Sequence, residues 1–405
     1  MIIKERLFKS QFIKIILFTF YIFNIFFIYG CVCIKCASYG HMLYRPYFTP
    51  NSLILVGLNG EIYTLNKDTG QISSQTFISQ INSGDFIVSS PAGENNEIYI
   101  VSHDQMLFKF SPDGNSIWSF NIHRNYNKDC TWDRILVSLQ SIIVTSSYHD
   151  CGIIGVDKTT PSIIWSREGD YEETGSIITG TDIYTIDAGE KTLLKITDTG
   201  EILLTKVLST NYYPALLNLH QDTLWIGLSN DWYGHDGKYF LIGVSPADLT
   251  EKMITSEFNN HSDILFNNGY IFHFDKQNDY EDPLTLINRS FPDLDILFKI
   301  TSLGSAEMIG IKDNMILIVR HDYNSISAYD TTSGSLIWKH EVPDRIYQTA
   351  LEDGLYVVNT KRIYKLDNKT GNEIWCTEVN LTDPNPSGGC FAFWDKKGQD
   401  NACKP

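Results

Sequence analysis

From about residue 45 onward the apolar residues fall in short runs rich in Ile, Val, Tyr, Phe and Thr, bounded by Gly, Asn, Asp and Ser. Such runs read as strands joined by hairpins. Glu97-Ile98-Tyr99-Ile100-Val101 followed by Met106-Leu107-Phe108-Lys109-Phe110 is one pair, and Leu355-Tyr356-Val357-Val358 followed by Arg362-Ile363-Tyr364-Lys365-Leu366 is another. No run in this part of the chain has the 3.6-residue period of an amphipathic helix.

The runs are punctuated by a repeating turn. Asp330-Thr331-Thr332-Ser333-Gly334-Ser335-Leu336-Ile337-Trp338 and Asp367-Asn368-Lys369-Thr370-Gly371-Asn372-Glu373-Ile374-Trp375 share Asp-x-x-x-Gly-x-x-x-Trp. Asp113-Gly114-Asn115-Ser116-Ile117-Trp118 has a shorter turn, and Asp157 to Trp165 has Pro161 where Gly would stand. Weaker copies are Asp198-Thr199-Gly200 leading to Leu204 and Asp68-Thr69-Gly70 leading to Ser74; two more, near Asp248 and Asp293, lack the Gly. Between Gly70 and Gly371 the mean spacing is about 43 residues, the length of a four-stranded propeller blade. The Gly supplies the positive φ of a tight turn. The Trp then lies on the outermost strand, where Trp118, Trp165, Trp338 and Trp375 can pack on the next blade. A blade cannot cover both its faces alone, so eight blades stack radially and the ring closes. The expected blades are 45–80, 81–124, 130–170, 171–210, 211–259, 260–303, 304–344 and 345–381. The tail Cys390-Phe391-Ala392-Phe393-Trp394 reads as one more strand that would pair with the first blade; the alternative is that Tyr44 to Thr49 completes that blade.

These units, with Ser89-Ser90-Pro91 opening the second, resemble the repeats of the quinoprotein (PQQ-like) β-propeller superfamily over nearly all of residues 45–405. The resemblance implies an all-β, eight-bladed propeller of four-stranded blades. It does not imply one activity, because the superfamily includes pyrroloquinoline-quinone (PQQ) enzymes that use Ca, and propellers without cofactor, such as a bacterial outer-membrane assembly lipoprotein. Its quinone enzymes carry adjacent cysteines above the cofactor, a Trp beneath it and an Asp base. This chain has no adjacent Cys pair, and no position matches a cofactor ligand. A smaller sugar-oxidising class lacks the pair and uses a His base.

Ahead of the repeats, the basic stretch Met1 to Lys14 precedes an apolar run from Ile15 to Ile34. Charge followed by hydrocarbon is the order of an export signal, so residues 1–38 read as a signal peptide or signal anchor. Three endings are open: cleavage near Cys36-Ala37-Ser38, an uncleaved span over residues 15–34, or a bacterial lipoprotein at Ile28-Tyr29-Gly30-Cys31. Each puts the body in the secretory lumen or outside the cell. Formal net charge is −16, and the first 38 residues hold five basic side chains against Glu5, so the body is more acidic still. An acidic body repels phosphate backbones, which argues against nucleic acid as a partner.

Five cysteines follow the export segment: Cys130, Cys151, Cys376, Cys390 and Cys403. Cys130 with Cys151 is the expected local disulfide, against a pair of buried thiols. Two of the last three could staple the C-terminal tail. Sequons at Asn260, Asn288, Asn368 and Asn380 are glycosylation candidates, though the frequency of Asn alone accounts for about four.

Four of the ten His residues are followed by Asp: His103-Asp104, His149-Asp150, His235-Asp236 and His321-Asp322. Composition alone gives about one. All four fall between the second and third strands of their blades, on the face that also carries the connections between blades. Tyr148, Trp232, Tyr233, Tyr280, Tyr323 and the acidic loop from Asp275 to Asp282 share that face. One reading is polar hairpin turns; the other is a docking face that weakens as His protonates. No nucleophile elbow, zinc-protease, phosphate-loop or EF-hand motif occurs. The expected function is therefore a non-catalytic binding scaffold for a protein or peptide, without cofactor or metal. The rival is a PQQ/Ca-dependent dehydrogenase, and a lumenal sensing or adhesion domain differs from a scaffold only in its partner.

Overall fold

The computed structural model describes residues 46–381, apart from 58, 79–86, 88, 90, 95–96, 112, 127–129, 131, 147–150, 172–175, 209–211, 231–237, 260–263, 268, 276–283 and 360. Seven four-stranded sheets and one five-stranded sheet follow one another along the chain, every neighbouring pair antiparallel and in sequence order. They span 47–77, 92–121, 132–167, 176–207, 213–259, 264–300, 306–341 and 348–378, and are numbered here as blades 1 to 8. The fifth strand of blade 5 is Phe258–Asn259, which pairs with the third strand, Lys238–Val244. Each sheet falls within one of the eight expected blades. One short helix, Ile122–Tyr126, departs from the expectation that helix is confined to the export segment.

There is no single core. Eight clusters of buried side chains lie between consecutive blades, and the last joins blade 8 to blade 1 through Leu53, Tyr63, Tyr356 and Trp375. The central strands are covered on both sides, so Leu355–Val358 and Arg362–Leu366 are buried along their whole length. An outermost strand such as Ile202–Val207 alternates between exposed and half-buried positions, because only one face meets a neighbour. In every blade the ladder between third and fourth strands slips by one residue beside the Trp position. This bulge turns the preceding residue outward, leaving Ile117, Ile337 and Ile374 about half exposed.

The repeat motif is an inter-blade clamp. The Asp closes its own turn: Asp330 Oδ1 accepts from the amides of Thr332 and Ser333, and Asp367 Oδ1 from those of Lys369 and Thr370. Gly371 has φ +69°, and a side chain there would run into the Trp338 ring of the preceding blade. The indole N–H of Trp338 donates to Asn368 O at 2.9 Å, Trp165 to Asp198 O at 3.0 Å, and Trp118 to Lys158 O at 3.3 Å. Trp375 donates across the closure to Lys67 O at 3.0 Å, while Thr377 Oγ1 reaches Gly70 O at 2.7 Å.

Blade 1 is completed by its own N-terminal strand, Tyr47–Phe48, which pairs with Ser52–Val56. All four described strands of this blade come from one stretch of chain, as in the alternative in which residues 44–49 complete it. Residues 390–394 lie outside the described residues.

Candidate interaction face

One face carries the short turns between first and second and between third and fourth strands. The opposite face carries the loops between second and third strands and the links between blades, and here called the connection face. The His-Asp pairs belong to it by their place in the chain. His149, Asp150, Trp232, Tyr233, His235 and Asp236, with Tyr148 and Tyr280, lie outside the described residues. His103, Asp104, His321 and Asp322 are described.

His103 and Asp104 form the exposed tip of a tight turn in blade 2, where Gln105 N donates to Ser102 O at 3.0 Å. The following Gln105 adopts φ +63°, unusual for a residue with a Cβ. Its side chain explains why it is held there. Gln105 Nε2 donates to His103 O at 2.8 Å, its Oε1 accepts from Trp132 N at 3.0 Å, and its carbonyl accepts from Ile122 N at 2.9 Å. Gln105 thus ties the turn to the helix and to blade 3. The exposed pair ahead of it forms the tip of the hairpin.

The blade 7 loop is built differently. His321 is half-buried, with Nε2 3.3 Å from Glu307 Oε2. Partial burial pushes the Asp322 carboxyl up, opposed by the Arg320 charge and by backbone amides. The Arg320 guanidinium lies 4.2 Å from the centre of the Tyr323 ring, and Tyr323 is 60% exposed. Blades 2 and 7 are separated by blades 1 and 8 one way round the ring and by four blades the other, so the two described pairs are separate sectors of one face.

Cys130 and Cys151 form the expected disulfide, both buried between blades 2 and 3 with Tyr126 and Trp132. Cys376 is also disulfide-bonded, and its partner lies outside the described residues. Two sequons fit glycosylation poorly. Asn288 is fully buried with its amide donating to Thr331 O at 2.9 Å, and Asn368 is buried beneath the Trp338 clamp. A glycan at either would have to displace packed structure. Asn380 is exposed, and Asn260 is outside the described residues.

Sequence reasoning missed the buried charges of the opposite face. In blade 2, Lys109 pairs with Glu97 at 2.7 Å, Tyr99 OH donates to Glu97 at 2.7 Å, and Lys109 also donates to Lys158 O of blade 3 at 3.1 Å. Blade 8 repeats this with Lys365, Asp353 and Tyr356, and Lys365 reaches Lys67 O of blade 1 at 3.1 Å. Burial would raise the Glu97 and Asp353 carboxyls, but bonds from Lys and Tyr hold both below the usual range. The signal was an acid, a Tyr and a Lys on adjacent strands of one blade, a pattern that emerges only once the strands are in register.

The adjacent cysteine pair of the larger quinone enzymes does not occur among the described residues. Their cysteines are two packed between blades 2 and 3 and one on an outermost strand, with no adjacent pair. No three His, Cys, Asp or Glu side chains among them are placed to hold a metal ion. Nor, among the described residues, is any helix long and apolar enough to cross a membrane.

Comparison with known proteins agrees with this geometry at the level of fold. Residues 293–388 match the family model described as outer membrane protein assembly factor BamB. No curated protein matches the chain. Among solved structures, BamB from Moraxella catarrhalis is similar with a TM-score of 0.58 at 12% identity, covering 84% of this chain and 94% of that one. Quinohemoprotein alcohol dehydrogenase from Comamonas testosteroni gives 0.58 at 9% identity, covering 84% and 75%. The dihydro-heme d1 dehydrogenase NirN gives 0.61 at 10% identity, covering 83% and 75%. The chain is thus an eight-bladed propeller with PQQ-like repeats, similar in fold both to an assembly factor and to quinoprotein dehydrogenases.

Proposed function

We propose that this propeller is a non-catalytic scaffold that binds a protein or peptide on its connection face, in the secretory lumen or outside the cell. The observation that carries the reading is the Arg320–Tyr323 pair, an exposed aromatic ring fixed beneath a guanidinium on a rigid ring. Arg and Tyr are the residue types that most often carry interface energy. A loop pinned in the free protein also loses little freedom on binding. The buried disulfide suits an oxidising compartment. The fold match to BamB, over almost the whole of that chain, is in line with a partner-binding role. No cofactor and no nucleic acid are part of this reading, and the membrane is involved only through residues 15–34 if they are retained.

Photo-crosslinking side chains placed one at a time at His103, Tyr323, Leu139 and Ile337 test it in the native host. Leu139 is 61% exposed on the opposite face and Ile337 is 46% exposed on the rim. A discrete partner trapped from His103 or Tyr323, and not from the other two, is expected. Trapping from Leu139 or Ile337 alone would overturn the assignment of the face.

A further inference from the structure

The partner's chemistry can be read from blades 7 and 8, an inference that rests on the connection face being the binding face. Next to the Arg320–Tyr323 pair lies a second. Arg345 is exposed on the link from blade 7 to blade 8, with its guanidinium 5.3 Å from the centre of the Tyr347 ring. The two segments are bonded to each other, since Val342 N donates to Asn324 O at 2.8 Å. That bond is one residue from Tyr323 and three from Arg345. The link is also anchored beyond Arg345: Ile346 is fully buried, and Tyr347 N donates to Val358 O at 3.0 Å.

The other charges of this sector are engaged. Asp344 pairs with Arg362 at 3.4 Å, and His321 lies against Glu307. Asp322 Oδ2 stays 3.8 Å from Arg320, too far for a fork of hydrogen bonds. Arg345 meets only the ring, with no carboxylate beside it among the described residues. A guanidinium lying on a ring keeps its N–H fork free for a planar carboxylate. A membrane or phosphate-rich surface is broad enough to meet the strongly acidic body as well, whereas a short acidic segment meets only this sector.

We propose that blades 7 and 8 receive an acidic peptide segment of a protein partner, with carboxylates on Arg345 and Arg320 and an aromatic or apolar side chain against Tyr323.

The test uses the full chain and a fluorescent acetyl-Gly-Asp-Glu-Phe-Glu-Asp-Gly-amide, with its Asn/Gln counterpart as control. Saturable binding of the acidic peptide is expected, weakening as salt rises and absent for the amide control. Arg345→Gln should weaken it about tenfold or more, and Arg345→Gln with Arg320→Gln should abolish it. Arg345 is exposed, so its variant should melt as the parent does, and Lys339→Gln on the rim should bind as the parent does. Equal binding of both peptides, or affinity unchanged by Arg345→Gln, would overturn the proposal. So would tighter capture of inorganic phosphate or phosphatidylglycerol vesicles through the same arginines. A crosslinked partner at His103 alongside a failed peptide titration would sink this inference and leave the binding face standing; failure of both would sink both.

Discussion

The arc of blades 7, 8 and 1 and the arc of blades 4, 5 and 6 solve the same packing problem with different residues. In the first, Trp338 and Trp375 lie on the glycine turn of the following blade and donate to its carbonyl. In the second, the Trp position holds Leu204, Met253 and Phe298, none of which can donate. Phe298 of blade 6 still lies on the Gly334 turn, whereas in blade 5 the aromatic mass has moved inward. Trp225, on the second strand of blade 5, stands 4.6 Å edge-on to Phe291 and 5.9 Å stacked on Phe266. In blades 5 and 6 the turn glycines have gone too: Leu249 and Leu294 take positive φ of 57° and 63° and are themselves buried. Burial of a leucine offsets the strain of a left-handed backbone, which costs of order 1–3 kcal/mol. An interface can therefore lose its motif and keep its packing.

Trp375→Ala should destabilise the ring by about 3–5 kcal/mol, and Trp225→Ala by a similar amount. Met253→Ala, at a position 38% exposed, should cost about 1 kcal/mol. Denaturant melts of the three variants check this ordering. A mild Trp225→Ala would break the claim that the inner aromatic has replaced the outer one.

The second arc should also be the acid-sensitive one. His273 is fully buried in blade 6, with Nε2 accepting from Arg289 Nε at 3.0 Å and Phe258 packed over both groups. Burial, with Arg289 and Lys299 adding repulsion, pushes its pKa down to about 3. The unfolded chain takes up this proton near pH 6.5 and the folded one does not. Stability from this group is therefore complete above about pH 6.5 and falls as pH drops toward 3, by a few kcal/mol in all. His273→Gln, which keeps an acceptor for Arg289, should flatten that part of the pH profile in thermal melts. A profile of unchanged slope would show the loss to come from elsewhere.

Removing the Cys130–Cys151 bond by Cys151→Ser should cost about 3 kcal/mol, seen as a lower melting temperature. It backs the weakest Trp clamp, that of Trp118 at 3.3 Å. A single turn contributes less than the disulfide. Gly371→Ala should cost about 1–2 kcal/mol, because φ is +69° and Trp338 lies against the site.

The same contrast decides what could be read from the sequence. Blades 7 and 8 announce themselves because Asp, Gly and Trp act within nine residues. In blade 1 the turn is capped by Asn66, whose Oδ1 accepts from the amides of Asp68 and Thr69, so an Asp-based alignment points two residues too late. Blades 5 and 6 were visible only by position, since Trp225 and Phe266 come from different blades and meet only in the ring. On the candidate face, His321-Asp322 and Tyr323 were legible. Arg320 and Arg345 were not, because a cation over a ring leaves no fixed spacing in the chain.

The central claim is that this ring binds a partner and performs no quinone chemistry. The most direct measurement follows melting temperature and dye reduction together while the purified, disulfide-intact full chain is titrated with pyrroloquinoline quinone and Ca²⁺. No saturable shift and no turnover are expected. Stabilisation approaching about 2.7 kcal/mol at 100 times the dissociation constant, accompanied by quinone-dependent dye reduction, would contradict the account.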